Sequence, residues 1–363
     1  MSDSRPKTVV LHQFTGIGDL VWHIPYFKAV AEQSRGGKVS VIAQPSTLAR
    51  QLIGHEPWVE EIIDHDHRPR RSEKRKGRHA GLLGMWRFAQ ELKQRDFDRI
   101  VLFSGRVSRG LLAWMTGIPV RVGYGYRLLQ RVFLTRGPYI TPYRGSGVAA
   151  YHEATEFAVA QRFVDKAISP RLDLPSQLPE RVSQILSGMR RPVYALAIGT
   201  SEPYKQWGEA NFSDLARRLL QDGGSVLALG GAAERELATK LLNNLPEGLR
   251  SHARAVTHLT VRESASLLAG CDLCIGNDTG MVNVSAAVGC PTIVLLGPRP
   301  ALAHDPSLIC LTSSSLRAIT VEEVYFASSQ RLSYSKVCAL PLTGVQAESI
   351  AGNTRSAWQR PHY

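Results

Sequence analysis

The sequence predicts an α/β protein made of two successive strand–helix halves. Short β-branched apolar runs alternate with amphipathic stretches along most of the chain. The alternation weakens between residues 141 and 191, where Pro142, Pro170, Pro175 and Pro179 interrupt it, and restarts after Pro192. A chain of 363 residues is also too long for one small core and suits two domains of ordinary size.

Taken in order, the first half reads as a strand at 8–14, a helix at 19–33, a strand at 38–44 and a helix at 47–53. A strand at 59–63, a helix at 82–94, a strand at 99–103 and a helix at 107–115 follow. Strands separated by helices imply a mostly parallel sheet covered on both faces. One further helix is expected at 153–166. The second half carries strands at 194–198, 226–229, 273–275 and 292–296 with helices between them. One of those helices opens with Thr260 and Glu263 at capping-box spacing. The expected domains are residues 1–170, a connection at 171–191, and residues 192–328. A tail at 329–363 has no strong period, and its structure is left open.

Composition bounds the partners. A hydrophobic fraction of 44% with 21% charged residues belongs to a folded chain rather than a disordered one. The net charge of +13 attracts something anionic without saying what. Five cysteines form no secreted framework, and Cys271-x-x-Cys274 has no second such pair and leads into a strand. Core packing is expected there, and no metal site. The apolar run after Lys7 is short and ends in a glycine loop, and no apolar stretch reaches transmembrane length. These features predict a cytoplasmic protein.

In open parallel sheets ligands bind beyond the carboxyl ends of the strands, so the loops after strands are where chemistry is sought. Thr15-Gly16-Ile17-Gly18-Asp19 follows the first strand. Val21 stands where a dinucleotide fingerprint needs its third glycine, and the second strand ends near Gln44 rather than at an acid. Asp19 reads as a helix cap or as a general base facing a cleft. Gly276-Asn277-Asp278-Thr279-Gly280 opens a helix whose free N–H groups suit a diphosphate, although a plain cap looks the same. Gly199 and Thr200 begin a loop that holds Lys205 and Trp207, and a lysine there can neutralise phosphate. Gly230-Gly231 permits close approach of a nucleotide, with Glu234 placed to accept bonds from ribose hydroxyls.

In order and spacing, these loops resemble glycosyltransferase family 9, the ADP-heptose:lipopolysaccharide heptosyltransferases. The resemblance covers most of residues 8–300. It is strongest in CDLCIGNDTGMVNVSAAVGCPTIVLLGP at 271–298, with support from GIGDLVWHIP at 16–25, KQWGEANFSDLARRL at 205–219 and LGGAAERELA at 229–238. It implies the GT-B fold, two Rossmann-like domains facing across a cleft, and an inverting, metal-independent transfer with no cofactor beyond the nucleotide-sugar co-substrate. On that resemblance Asp19 is the base, and Lys205 stabilises the leaving diphosphate. Gly199, Thr200, Gly231, Glu234, Asp278, Thr279, Gly280 and Asn283 bind the donor, expected to be ADP-linked heptose. The chain departs from the family pattern at Asn283 and Trp22, each standing where a histidine is usual, and at Gly297-Pro298-Arg299-Pro300.

The basic run HRPRRSEKRKGRH at 67–79 reads as a solvated loop, a nucleic-acid contact or an acceptor contact. No aromatic residues interleave it and no nucleic-acid motif accompanies it, so nucleic acid is not an expected partner. With the resemblance, Arg70, Arg71, Lys74 and Arg75, together with Gly18, are expected to meet an anionic glycolipid acceptor. The same charge would draw the protein to the cytoplasmic face of an anionic inner membrane. Two other classes compete: a sugar-nucleotide or glycan-binding protein without turnover, and a nucleotide-dependent oxidoreductase, which Val21 and Gln44 disfavour.

Overall fold

Strands that are apolar along their whole length need cover on both faces, and here helices supply it. The structure, a computed structural model, describes residues 3–69, 73–200 and 202–338. The first half runs β1 (Thr8–His12), α1 (Ile17–Glu32), β2 (Val39–Ala43), α2 (Ala49–Leu52), β3 (Val59–Asp64) and α3 (Gly81–Lys93). It continues with β4 (Arg99–Phe103), α4 (Val107–Met115), β5 (Val120–Gly123), α5 (Leu128–Arg131) and α6 (Ala149–Ala160). Its five strands are parallel in the order β3-β2-β1-β4-β5.

The second half runs α7 (Glu180–Leu186), β6 (Val193–Ala197), α8 (Glu209–Gln221), β7 (Ser225–Leu229), α9 (Arg235–Asn243), α10 (Glu247–Arg250) and β8 (Ala253–Val256). It ends with α11 (Val261–Ala269), β9 (Leu273–Asn277), α12 (Gly280–Ala287), β10 (Thr292–Gly297), β11 (Leu308–Thr312) and α13 (Val321–Cys338). Its six strands are parallel in the order β11-β10-β9-β6-β7-β8.

Both sheets reverse their winding at one point, between β1 and β4 in the first and between β6 and β9 in the second. A crevice opens at each reversal, because neighbouring strands send their following segments to opposite faces. The turn after β1 leads into the first turn of α1, which carries Asp19, the loop after β6 carries Lys205, and the loop after β9 carries Asp278. One face of the first sheet packs under α3 and α4 through Met85, Phe88, Leu92 and Leu112. The opposite face, under α1, shares a continuous apolar core with residues of the second half, including Val282, Val284 and Leu302.

Several elements differ from the sequence expectation. β5, β8 and β11 are additional strands, all at sheet edges, and β5 and β8 are four-residue strands broken by an arginine. The expected helix at 47–53 is a tight 3-10 turn followed by the single turn α2, because Leu48 between them takes a left-handed backbone, φ 54°. The helix expected at 153–166 spans Ala149–Ala160, with left-handed Arg162 soon after it. Helix α7 lies inside the stretch expected as a connection. Helix α13 enters the tail and reaches Cys338, and residues 339–363 lie outside those described. Cys271 and Cys274 are buried in the core, and burial pushes their thiols above the ordinary range.

Candidate active site

Asp19 occupies the third position of α1, and its carboxylate accepts a hydrogen bond from the Gly16 N–H at 3.2 Å. That is the cap the sequence allows. Burial nevertheless dominates and pushes the carboxyl up to about 6, against the Gly16 N–H and the positive charge of Lys205, which both act to lower it. Lys205 belongs to the second half, so its charge acts across the boundary between the halves.

Behind Asp19, His23 Nδ1 lies 2.6 Å from the Asp19 carbonyl oxygen. The His23 ring is fully buried between His12, Phe27 and Phe103, with ring centroids 4.8 to 5.8 Å away. Burial pushes His23 down to about 4, so the ring is neutral at physiological pH and Nδ1–H donates to the carbonyl. An aromatic wall thus holds the first turn of α1 in place.

On the opposite wall, Thr279 caps α12, its hydroxyl accepting the Met281 N–H at 3.0 Å. Asp278 holds two cations: Lys205 Nζ stands 3.5 Å from its carboxylate, and the Arg299 guanidinium pairs with the same oxygen. Arg299 Nη2 is buried and has no hydrogen-bond partner. Lys205, Arg299 and the start of α12 therefore concentrate positive charge and spare donors at one place, which is the chemistry that holds a diphosphate. Asn277 builds this wall. Its side chain accepts from the Trp207 N–H at 3.0 Å and donates to the Ile198 carbonyl at 3.0 Å and to Gln206 at 2.9 Å, fixing the Lys205 loop to β9.

Next to these groups, Gly199 and Gly230 lie under the Glu234 side chain, which a Cβ at either position would approach within 3.2 or 2.6 Å. Glu234 accepts the Gly231 N–H at 2.7 Å, and the Thr200 hydroxyl accepts the Glu202 N–H at 3.3 Å. The donor-side residues expected from sequence, Gly199, Thr200, Lys205, Gly231, Glu234, Asp278, Thr279 and Gly280, all lie on the segments that follow β6, β7 and β9, with Gly280 opening α12.

Gly18 and Asn283 are placed differently from the rest. The first turns of α1 and α12 touch so closely that a Cβ on Gly18 would sit 2.7 Å from Asn283 Nδ2, and one on Gly280 would sit 2.7 Å from Ile17 Cβ. Asn283 is buried, donating to the Thr279 carbonyl at 3.1 Å and accepting from Trp22 Nε1 at 2.8 Å. Trp22 Nε1 also lies 3.0 Å from His304 Nε2. Burial pushes His304 down to about 4, leaving its ring neutral and able to accept. Both positions at which the chain departs from the family histidines thus meet in one polar contact between the halves.

Described residues of the basic run, among them His67, Arg68, Lys74, Arg75 and Lys76, line an open cavity of about 530 Å³. Arg75 is less available than its sequence suggests, being paired with Asp66 at 2.5 Å and Glu73 at 2.8 Å. Arg70 and Arg71 lie outside the described residues. Beside this cavity the buried Arg109 guanidinium contacts His67, and its Nε is unpartnered. Burial lowers the Arg109 guanidinium to about 10, still fully charged at neutral pH. Sequence reading missed Arg109 because it lies in a helical run, and missed the pairing of Arg299 with Asp278 because Arg299 registered only as a break in the Gly-Pro turn.

The sequence profile of the family described as "Glycosyltransferase family 9 (heptosyltransferase)" matches residues 85–321. The chain is 30% identical over 230 residues to lipopolysaccharide heptosyltransferase 1 of Pseudomonas aeruginosa, a match that covers 59% of each chain. It is 23% identical over 308 residues to lipopolysaccharide heptosyltransferase 2 of Escherichia coli K12, covering 81% of this chain and 85% of that one. Among solved structures, E. coli ADP-heptose lps heptosyltransferase II superposes with a TM-score of 0.72 at 18% identity, over 91% of this chain and 99% of the other. That likeness identifies the fold as GT-B.

Proposed function

Since the chain belongs to glycosyltransferase family 9, the heptosyltransferases, we propose that it transfers heptose from ADP-heptose to an anionic, lipopolysaccharide-core-type glycolipid, with inversion and without a metal. The observation that supports the mechanism is the close contact of the first turns of α1 and α12 at Gly18 and Gly280, which sets the turn carrying Asp19 against the helix that follows Asp278.

Asp19 takes the proton of an acceptor hydroxyl, whose oxygen attacks the anomeric carbon from the face opposite the diphosphate. The new C–O bond forms as the bond to the diphosphate oxygen breaks, and that electron pair leaves with ADP. Inversion at the anomeric carbon follows from the opposed faces. Lys205, Arg299 and the amides at Thr279–Gly280 hold the developing negative charge, which is preorganised electrostatic stabilisation. Two fixed cations supply there the charge that a divalent ion supplies elsewhere. Glu234 holds the ribose, with Gly199, Thr200 and Gly231 allowing the nucleotide to approach. Lys74, Arg75, Arg70 and Arg71, joined by Arg109, bind the anionic acceptor, and the enzyme works at the cytoplasmic face of the inner membrane. No helix among the described residues is long and apolar enough to cross a membrane.

Replacing Asp19 separates chemistry from binding. Asp19→Ala is expected to lower transfer by about 10³-fold or more while leaving ADP affinity nearly intact; unchanged turnover would remove Asp19 from the mechanism. Reversing the charge at Arg70, Arg71, Lys74 and Arg75 is expected to raise the acceptor KM and flatten its salt dependence. An unmoved KM would return the loop to plain solvated surface.

A further inference from the structure

Large apolar side chains exposed to solvent are concentrated in one part of the first half. Of twelve such residues among those described, seven fall between residues 82 and 132. Leu82, Leu83 and Trp86 lie on α3, Trp114 on α4, and Leu128 and Leu129 on α5, with Val132 just after it. Leu82 is 76% exposed and Leu128 75%. The inner face of α3 already fills the core with Met85, Phe88, Ala89 and Leu92, so this helix is apolar on the side where a surface helix is normally polar. The three helices form one layer, α4 packing against both neighbours and Trp114 lying 6.3 Å from Phe133. That layer covers the sheet face opposite α1, away from the contact between the halves.

The charge around this layer is predominantly positive: Glu73 and Glu91 are paired with Arg75 and Arg78, Asp96 follows α3, and α4 and α5 carry no carboxylate. From Arg99 to His152 the sequence contains eight arginines and no carboxylate. Arg87, Arg127 and Arg136 are exposed, as are Lys74 and Lys76 in the segment that leads into α3. Arg75 and Arg78 are held in ion pairs, whereas Lys74, Lys76, Arg87, Arg127 and Arg136 form none among the described residues.

We propose that the outer face of α3, α4 and α5 is a membrane-docking surface, seated in the headgroup layer of an anionic phospholipid bilayer. Leucines with two exposed tryptophans, Trp86 and Trp114, on a helical surface suit the boundary between headgroups and acyl chains, where aromatic rings concentrate. Exposed arginines around them meet lipid phosphates, each cation near the surface adding to the attraction. A second copy of the chain fits this face poorly, because a two-fold pairing sets like patches together and would oppose two arginine-rich rims. The proposal rests on the glycolipid-acceptor reading only for its purpose, since such an acceptor sits in a bilayer. Lipid binding itself requires neither substrate.

Co-sedimentation of the full chain with vesicles, without nucleotide sugar or acceptor, tests it. The protein should bind phosphatidylcholine vesicles enriched in phosphatidylglycerol, bind pure phosphatidylcholine more weakly, and release from the former as salt rises. Two variants, Leu82→Ser/Leu83→Ser/Trp86→Ser and Leu128→Ser/Leu129→Ser, should each lower vesicle partitioning on the order of tenfold. Arg87→Glu/Arg127→Glu, which keeps every apolar group, should abolish the preference for anionic lipid. All seven substitutions in the three variants fall on exposed side chains and should leave the thermal transition and transfer to a delipidated, water-soluble acceptor unchanged. Wild-type partitioning by both apolar variants overturns the proposal, as does their dissolving a dimer without changing vesicle binding. Vesicle binding that responds to these variants in a protein inactive with every soluble acceptor would refute the transferase reading and leave the docking surface standing.

Discussion

Asp19 is pulled in two directions, toward ionisation by the Gly16 N–H and Lys205 and toward neutrality by burial. Burial prevails, and the pH dependence follows from that sign. If its carboxylate is the base, kcat should rise with pH through about 6 and level off above it, and a flat profile from pH 5 to 8 would exclude the assignment. The folded carboxyl binds its proton more tightly than the unfolded one, so this contribution to stability is complete below the ordinary aspartate range, near 3.8, and is lost as pH rises through about 6. Asp19→Asn should therefore stabilise the fold at pH 8 by on the order of 1–3 kcal/mol, measured by urea denaturation, with little gain at pH 4. If Arg299, whose Nη2 is unpartnered, meets the donor diphosphate, Arg299→Gln should weaken ADP binding about tenfold or more in calorimetry, and unchanged affinity would exclude that contact. Asp19, Lys205, Asp278 and Glu234 were legible because each follows a strand that the apolar pattern marks. Arg299 was not, since its partner Asp278 is reached only when the turn after β10 folds back over α12.

At the scale of elements, the contact of α1 with α12 is set by two glycines that allow backbone to meet backbone. Gly280→Ala would drive a methyl group into Ile17, separating the helix starts at a cost of about 1–3 kcal/mol. The expected result is a large loss of kcat with ADP affinity changed much less, and wild-type kcat would show that the spacing of these helices does not matter to the chemistry. The long central strands and amphipathic helices could be read from sequence because their periodicity is unbroken. Edge strands such as β5 and β8 could not, since an arginine interrupts four residues of apolar signal. Nor did α2 show its single turn, because the left-handed Leu48 is a local backbone choice that an apolar pattern does not report.

At the scale of the whole molecule, the contact of α1 with α12 sets Asp19 against the wall that holds Asp278, Lys205 and Arg299, and a ligand that binds the folded state should raise its melting temperature. ADP is expected to raise it more than GDP or UDP, and the increment should shrink in Lys205→Ala; equal shifts for all three would deny an adenine preference. The two-domain arrangement was legible from the proline-rich break in the strand–helix rhythm. The contact between domains was not, because Trp22 lies 261 residues from Asn283 and 282 from His304, beyond the reach of any local pattern. That same triad has a consequence for domain exchange. A chimera that joins the first half of this chain to the second half of a relative would inherit the tryptophan without its acceptors, or the acceptors without their donor. Such a hybrid should carry competent substrate sites and still turn over slowly, until asparagine and histidine are restored at the positions of 283 and 304 so that the seam is transplanted as one unit.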